Sequence, residues 1–225
     1  MRISIAGGHG TIARQLTRLL TEDGHHVTSL VRKADQFGDI EAVGGTPVLI
    51  DLEGTTVEQL SEAMGDADGV VFAAGAGPGS GADRKEAVDH RAAVSLIDAA
   101  ERRNVNHYVM VSSMGANADH EGDEVFDAYL RAKGRADAAL RSSALGYSIV
   151  RPTTLTDDDP VGTVTLSPDA AGDAIARADV AAVIKSLLVD APPLMATVQL
   201  TAGSMPIVDA VRSVGASVPE IRRQV

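Results

Sequence analysis

The chain has 225 residues, 44% of them hydrophobic, which is enough for a sizeable core and too few for two full-sized domains. It carries no cysteine and a formal net charge of −11, which excludes disulfides and thiolate chemistry and argues against a nucleic-acid surface, since that needs a basic stripe. Aromatic residues make up only 3%, leaving few platforms for stacked bases. No apolar run reaches the ~18 residues of a membrane span, and "MRISIAGG" reads as a core strand rather than a signal peptide, so the expected compartment is the cytoplasm.

Arg2 to Ala6 alternates and ends apolar, as a buried strand does, and Ile12, Leu16, Leu19 and Leu20 then recur at helical spacing from Thr11. Gly7, Gly8 and Gly10 therefore fall in the first strand-to-helix turn, spaced Gly7-x-x-Gly10-x-x-Ala13. So tight a turn needs residues that accept positive φ, and bare backbone lets an anion approach the unpaired N–H groups at the helix start, around Thr11 and Ile12. Two readings fit: a phosphate-binding turn, or a glycine-rich turn that binds nothing. His9 inside it either touches a pyrophosphate or fills a polar niche.

Further on, the pattern predicts strands at His26–Val31 and Pro47–Asp51, a helix at Val57–Met64, a strand at Gly69–Ala74 and a long helix at Arg84–Arg103. A strand at His107–Ser112, a helix at Val125–Ser143 and a strand at Tyr147–Arg151 follow. Continuous apolar runs such as "VVFAA" and "YVMVS" suit burial on both faces. The alternation predicts an α/β fold: a doubly wound parallel sheet of Rossmann type with helices on both faces, three layers αβα. Beyond Pro152 the pattern loosens, with a helix near Asp179–Val189, a strand near Thr197–Thr201 and a last helix from Pro206. Residues 1–225 are read as one domain, whose part from about 152 to 225 completes the sheet and supplies a small substrate cover. "DDD" at Asp157–Asp159 reads as a solvated turn.

The end of the second strand is where a dinucleotide fold meets the adenosine ribose, and readers of NAD place a carboxylate there. This chain has Arg32 and then Lys33. A guanidinium pairs with a 2′-phosphate through charge-assisted bonds, where a carboxylate would repel it, so the expected cofactor is NADP(H). Asp51, followed by Leu52, ends the third strand either as an acceptor for the adenine amino group or as a turn or capping aspartate. Ala73, Ala74 and Gly75 open "FAAGAGPGSG", whose small residues let backbone pass close to a cofactor or simply form a flexible loop.

Tyr129 and Lys133 share one helix face about a turn apart. A free phenol ionises at about 10, and a neighbouring ammonium favours the phenolate, which makes the two a proton-transfer pair or, on the plainer reading, a surface pair that supports the helix. Ser113 sits just past the fifth strand, at the carboxyl edge where open α/β sheets hold ligands, and its hydroxyl suits a carbonyl that gains negative charge. Ser112, one residue behind, points elsewhere. His120, Glu121, Asp123 and Glu124 lack ligand spacing and read as a solvated loop, so no metal is expected.

Together these residues resemble the short-chain dehydrogenase/reductases, in particular the atypical NAD(P)-binding group near the NmrA-like and biliverdin-reductase-B-like proteins. "GGHGTIA" is similar to the atypical glycine pattern, "VRK" to an NADP-type strand end, "DL" at 51–52 to the adenine contact and "YLRAK" to the tyrosine-lysine pair. "VRPTTLTDD" resembles the segment that runs beside the nicotinamide at Pro152, Thr153 and Thr154. The resemblance implies reduction of a small carbonyl or related substrate by NADPH, with Tyr129 as proton donor, Lys133 as its modulator and ribose ligand, and Ser113 as carbonyl orienter. Its alternatives are an NADP(H)-binding redox sensor without turnover and a flavin- or biliverdin-type reductase. The implied partner is a small-molecule substrate, with no nucleic acid and no membrane, in a monomer or weak homo-oligomer.

Overall fold

Period-two alternation with apolar residues on both sides produces strands that are buried twice over. In β1 (Arg2–Ala6), Ile3 and Ile5 join the core on one face of the sheet and Ala6 joins the core on the other. The computed structural model describes residues 1–77 and 79–217. Pro78 of the glycine loop and residues 218–225, the end of the expected substrate cover, lie outside the described residues.

After β1 come α1 (Thr11–Glu22), β2 (His26–Val31), a 3₁₀ turn at Ala34–Gln36, α2 (Phe37–Glu41), β3 (Thr46–Leu49), α3 (Val57–Met64) and β4 (Gly69–Phe72). Next, α4 (Ala82–Arg84) runs through a π-helical stretch, Lys85–Ala92, into α5 (Ala93–Arg102), followed by β5 (His107–Val111), α6 (Val125–Ser142) and β6 (Tyr147–Pro152). The chain continues as β7 (Thr154–Thr156), β8 (Thr163–Ser167), β9 (Ala174–Ala176), α7 (Arg177–Val189), β10 (Ala196–Ala202), β11 (Met205–Pro206) and α8 (Ile207–Ser217).

The main sheet has the order β3-β2-β1-β4-β5-β6-β10-β8-β11 and is parallel from β3 to β10, while β8 runs antiparallel to both its neighbours. Helices α1, α7 and α8 cover one face, over Ile5, Val71, Val109 and Val150. Helices α3, α5 and α6 cover the other, over Phe72, Tyr108, Met110 and Ile149. The result is the three-layer Rossmann arrangement that the sequence predicts. Strand order reverses at β1, between β2 and β4, and the crevice at the carboxyl ends of β1 and β4 is where such sheets bind ligands.

Several boundaries differ from expectation. Strands β3, β4 and β5 stop at Leu49, Phe72 and Val111, short of Asp51, Ala74 and Ser112. The pairing strand ends there, so the chain makes one last bond, as from Ile50 N to Val31 O at 2.8 Å and from Ala73 N to Ala6 O at 2.9 Å, and then turns away. The single helix expected at 84–103 contains the π-helical stretch. Helix α2 and the strands β7, β8, β9 and β11 were not expected: α2 has only five residues, and the four strands pair with chain remote in sequence. Most described residues beyond Pro152 extend the main sheet and its covering helices, and β7 with β9 forms a separate two-stranded ribbon.

Candidate dinucleotide cleft and active site

The glycines of the first turn are held by sterics. Gly7 has φ +79°, and a Cβ there would lie 2.6 Å from Ala74 Cα, while one at Gly8 would lie 2.6 Å from the Ser29 side chain. Both positions thus let β1 pack against its neighbours. Gly10 differs: a Cβ would meet Gly7 O at 3.3 Å and otherwise face the crevice. Gly10 N donates to Gly7 O at 2.9 Å, and the first intrahelical bond runs from Arg14 N to Gly10 O. The N–H groups of Thr11, Ile12 and Ala13 precede it, with no side chain capping the helix, so the start of α1 presents free donors and the positive end of its dipole.

A cavity of about 310 Å³ opens beside this turn. Of the expected cofactor residues, Gly7, His9, Gly10, Arg32, Asp51, Leu52, Ala73, Ala74 and Gly75 line it. Gly8, Thr11, Ile12, Lys33, Ser112, Lys133, Pro152, Thr153 and Thr154 lie outside its lining, as do Ser113 and Tyr129. Arg32 is exposed and forms no ion pair or hydrogen bond among the described residues. Asp51 Oδ1 accepts from Glu53 N at 3.0 Å. His9 Nε2 lies 2.7 Å from Asp39 Oδ2, and that hydrogen bond holds the Asp39 carboxyl below the usual carboxylate range. Arg84 Nε donates to Glu53 Oε1 at 3.0 Å, a bridge between two lining residues.

Helix α6 brings Tyr129, Lys133 and Asp137 onto one face at intervals of four. Lys133 Nζ is buried, donates to Val111 O at 3.1 Å and Ala74 O at 3.3 Å, and lies 3.3 Å from Asp89 Oδ1. That contact has ion-pair distance without hydrogen-bond alignment, since Asp89 Oδ1 has no hydrogen-bond partner while Oδ2 accepts from Ala76 N. The lysine therefore ties the ends of β4 and β5 together, and its ammonium is 6.0 Å from the Tyr129 ring centre. Asp137 Oδ2 accepts from Ser112 Oγ and from Arg151 Nε, each at 2.9 Å, and lies 2.8 Å from Arg151 Nη2. Burial pushes the Asp137 carboxyl up, against the pull of Arg151.

Ser112 thus faces the core. Ser113 Oγ donates to the neighbouring Met114 O at 3.2 Å and is half-buried. Thr153 Oγ1 donates to Gly172 O at 3.0 Å, fastening the segment after β6 to the turn before β9. Sequence reasoning missed Asp89, Asp137 and Arg151. Each reads as an ordinary charge on an amphipathic element, and only packing shows that Asp89 and Asp137 are fully buried.

A strand-turn-helix with free N–H donors, opening on a crevice at the sheet's switch point, defines a dinucleotide-binding α/β protein. The family model described as "NAD(P)H-binding" matches residues 7–191, and the chain belongs to that family. It is 32% identical over 213 residues to the Bacillus subtilis protein named "Uncharacterized sugar epimerase YhfK", covering 94% of this chain and 99% of that one. Among solved structures it is similar to a candidate NAD-dependent epimerase/dehydratase from Bacillus halodurans, with a TM-score of 0.85 and 35% identity over 95% of this chain and 99% of the other. It also shares its fold with a short-chain dehydrogenase/reductase from Veillonella parvula in complex with NADP, with a TM-score of 0.69 and 21% identity over 91% and 96% of the two chains. Among the described residues no helix is long and apolar enough to cross a membrane.

Proposed function

We propose that the chain binds NADPH in preference to NADH and uses it to reduce a small carbonyl or related substrate. The observation that carries the cofactor preference is Arg32, an unpaired cation on the wall of the cavity at the end of β2, where NAD readers carry an acid. The residues present fit the group: Gly10 leaves the turn bare where it lines the cavity, and the α1 start offers the donors a pyrophosphate needs. The Veillonella protein's complex with NADP supports the same reading.

A dinucleotide held by the start of α1 and Arg32 would supply a hydride to the carbonyl carbon. Tyr129 would give its phenolic proton to the substrate oxygen as that oxygen gains charge, so that the hydride donor's C–H bond, the Tyr129 O–H bond and the carbonyl π bond are lost as a C–H and an O–H bond form, leaving a phenolate on Tyr129. Ser113 orients the oxygen by donating a hydrogen bond, for which its hydroxyl must leave Met114 O. Lys133 fixes the ends of β4 and β5 beside Tyr129, its ammonium 6.0 Å from the centre of that ring.

One observation favours a second reading, an NADP(H)-binding regulator without turnover. The Lys133 ammonium has three protons to donate, and it already faces two carbonyls and a carboxylate, so it reaches a ribose only by releasing one of them. Calorimetric titration with NADPH and NADH, followed by a screen of aldehydes, ketones, quinones and flavins for NADPH oxidation, separates the readings. Turnover supports the reductase. Tight NADPH binding with no substrate oxidised supports the regulator, and equal affinity for NADPH and NADH defeats the cofactor assignment.

A further inference from the structure

Most cations around the cleft face a carboxylate: Arg14 meets Asp39, Arg84 meets Glu53, Lys133 meets Asp89 and Arg151 meets Asp137. Among the described residues Arg32 meets none, and at the other end Lys85 meets none either. The Lys85 ammonium stands 5.1 Å from the centre of the Tyr129 ring and donates to Gly77 O at 3.0 Å, between the glycine loop and α6. The nearby acids are engaged elsewhere. Glu86 pairs with His90 at 2.7 Å and Arg135 at 3.5 Å, and Asp127 pairs with His120 at 2.9 Å. An ammonium has three donors, so two of those on Lys85 have no acceptor among the described residues.

Phe126 flanks the same Tyr129 ring: it is 61% exposed, and its ring centre lies 5.9 Å from that of Tyr129. An apolar ring left in water and a cation with no acid partner among the described residues thus both border the Tyr129 ring, a two-part recognition surface around the phenol. In a chain of net charge −11, most of the surface repels anions, and an unpaired cation beside the reacting group selects for one.

Resting on the reading of Tyr129 as proton donor, we propose that Lys85 recognises an anionic group on the substrate, whose class is then a carbonyl compound bearing a carboxylate, with its apolar body against Phe126. Lys85 is a specificity-determining residue in this arrangement.

The test titrates benzoate and its neutral counterpart methyl benzoate into the protein, free and saturated with NADP, and compares turnover of 4-carboxybenzaldehyde with that of methyl 4-formylbenzoate. Benzoate is expected to bind the wild type about tenfold tighter than the ester, the size of one charge-assisted hydrogen bond. Lys85→Met should erase that difference while leaving the ester's affinity unchanged, and Lys85→Arg should restore it. Equal binding of the two probes to the wild type, no binding of either, or a preference that survives Lys85→Met would each overturn the proposal. So would an equal loss of both probes in Lys85→Met, which would mark the residue as a fastener of the glycine loop. Binding is read without turnover, so an inactive protein that still prefers benzoate would overturn the proton-donor reading and leave the anion site standing.

Discussion

Lys133 Nζ lies 3.3 Å from Asp89 Oδ1, with the two side chains 4% and 0% exposed, so that one buried ion pair joins the π-helical stretch to α6. Removing one partner of such a pair leaves an uncompensated charge and costs about 3–5 kcal/mol. Asp89→Ala also strips Ala76 N of its acceptor. Urea unfolding should show a loss of that order, and the double variant Lys133→Met/Asp89→Asn, which keeps an acceptor for Ala76 N, should recover most of it. A single-variant loss near zero would contradict the pairing.

Arg32→Ala should weaken NADPH about tenfold or more and leave NADH nearly unchanged, because a charged hydrogen bond contributes roughly 1.5–3 kcal/mol and only NADPH carries the phosphate to receive it. Arg32 has no side-chain partner among the described residues, so the substitution should leave the melting temperature unmoved. Calorimetry with both cofactors and a thermal scan check the two halves of this expectation.

The glycine turn divides into structural and ligand-facing positions. Gly7→Ala forces a side chain to φ +79°, at a cost of about 1–2 kcal/mol, and drives it into Ala74; its melting temperature should fall markedly. Gly10→Val meets only Gly7 O closely and projects towards the cavity. That variant should fold and lose NADPH and NADH binding alike. Near-normal NADPH affinity in folded Gly10→Val would remove the phosphate from this turn.

Tyr129→Phe should keep NADPH affinity and the ring contacts with Phe126 and Lys85 while turnover of an accepted carbonyl falls by about 10²- to 10⁴-fold, the usual contribution of general acid catalysis. The proton is needed only as the alkoxide forms, so the loss belongs in kcat. Unchanged turnover would place the proton donor elsewhere.

His107 gives a prediction about pH. Burial alone pushes its imidazole down from 6.5 to about 4, and its Nε2 lies 2.9 Å from Ser148 Oγ. Below pH 6.5 the unfolded chain takes up a proton that the folded one refuses, so the contribution of this group is intact above pH 6.5 and is lost as pH falls to about 4. The whole loss is roughly 3 kcal/mol. His107→Asn should flatten the change in urea midpoint between pH 7 and pH 4.5, whereas a slope equal to that of wild type would assign it to other groups.

The sequence by itself determined the layered α/β architecture, because its evidence is local. Ile3 and Ile5 alternate, Leu16 and Leu20 recur at helical spacing, Gly7 and Gly10 punctuate the turn, and Arg32 falls where an acid is expected, all within windows of a few residues. Tertiary structure alone decided which polar groups are buried and what they hold. The sequence pairs Lys133 with Tyr129, four residues away, yet the ammonium is committed to Ala74 O, Val111 O and Asp89, partners 22 to 59 residues distant in the chain. Short β8 and β11 likewise exist only because an antiparallel neighbour completes their hydrogen bonds. Propensity and periodicity describe how a segment meets water and its own next turn, while the desolvation that forces Asp89 and Asp137 to find cations arises only when three layers close over them.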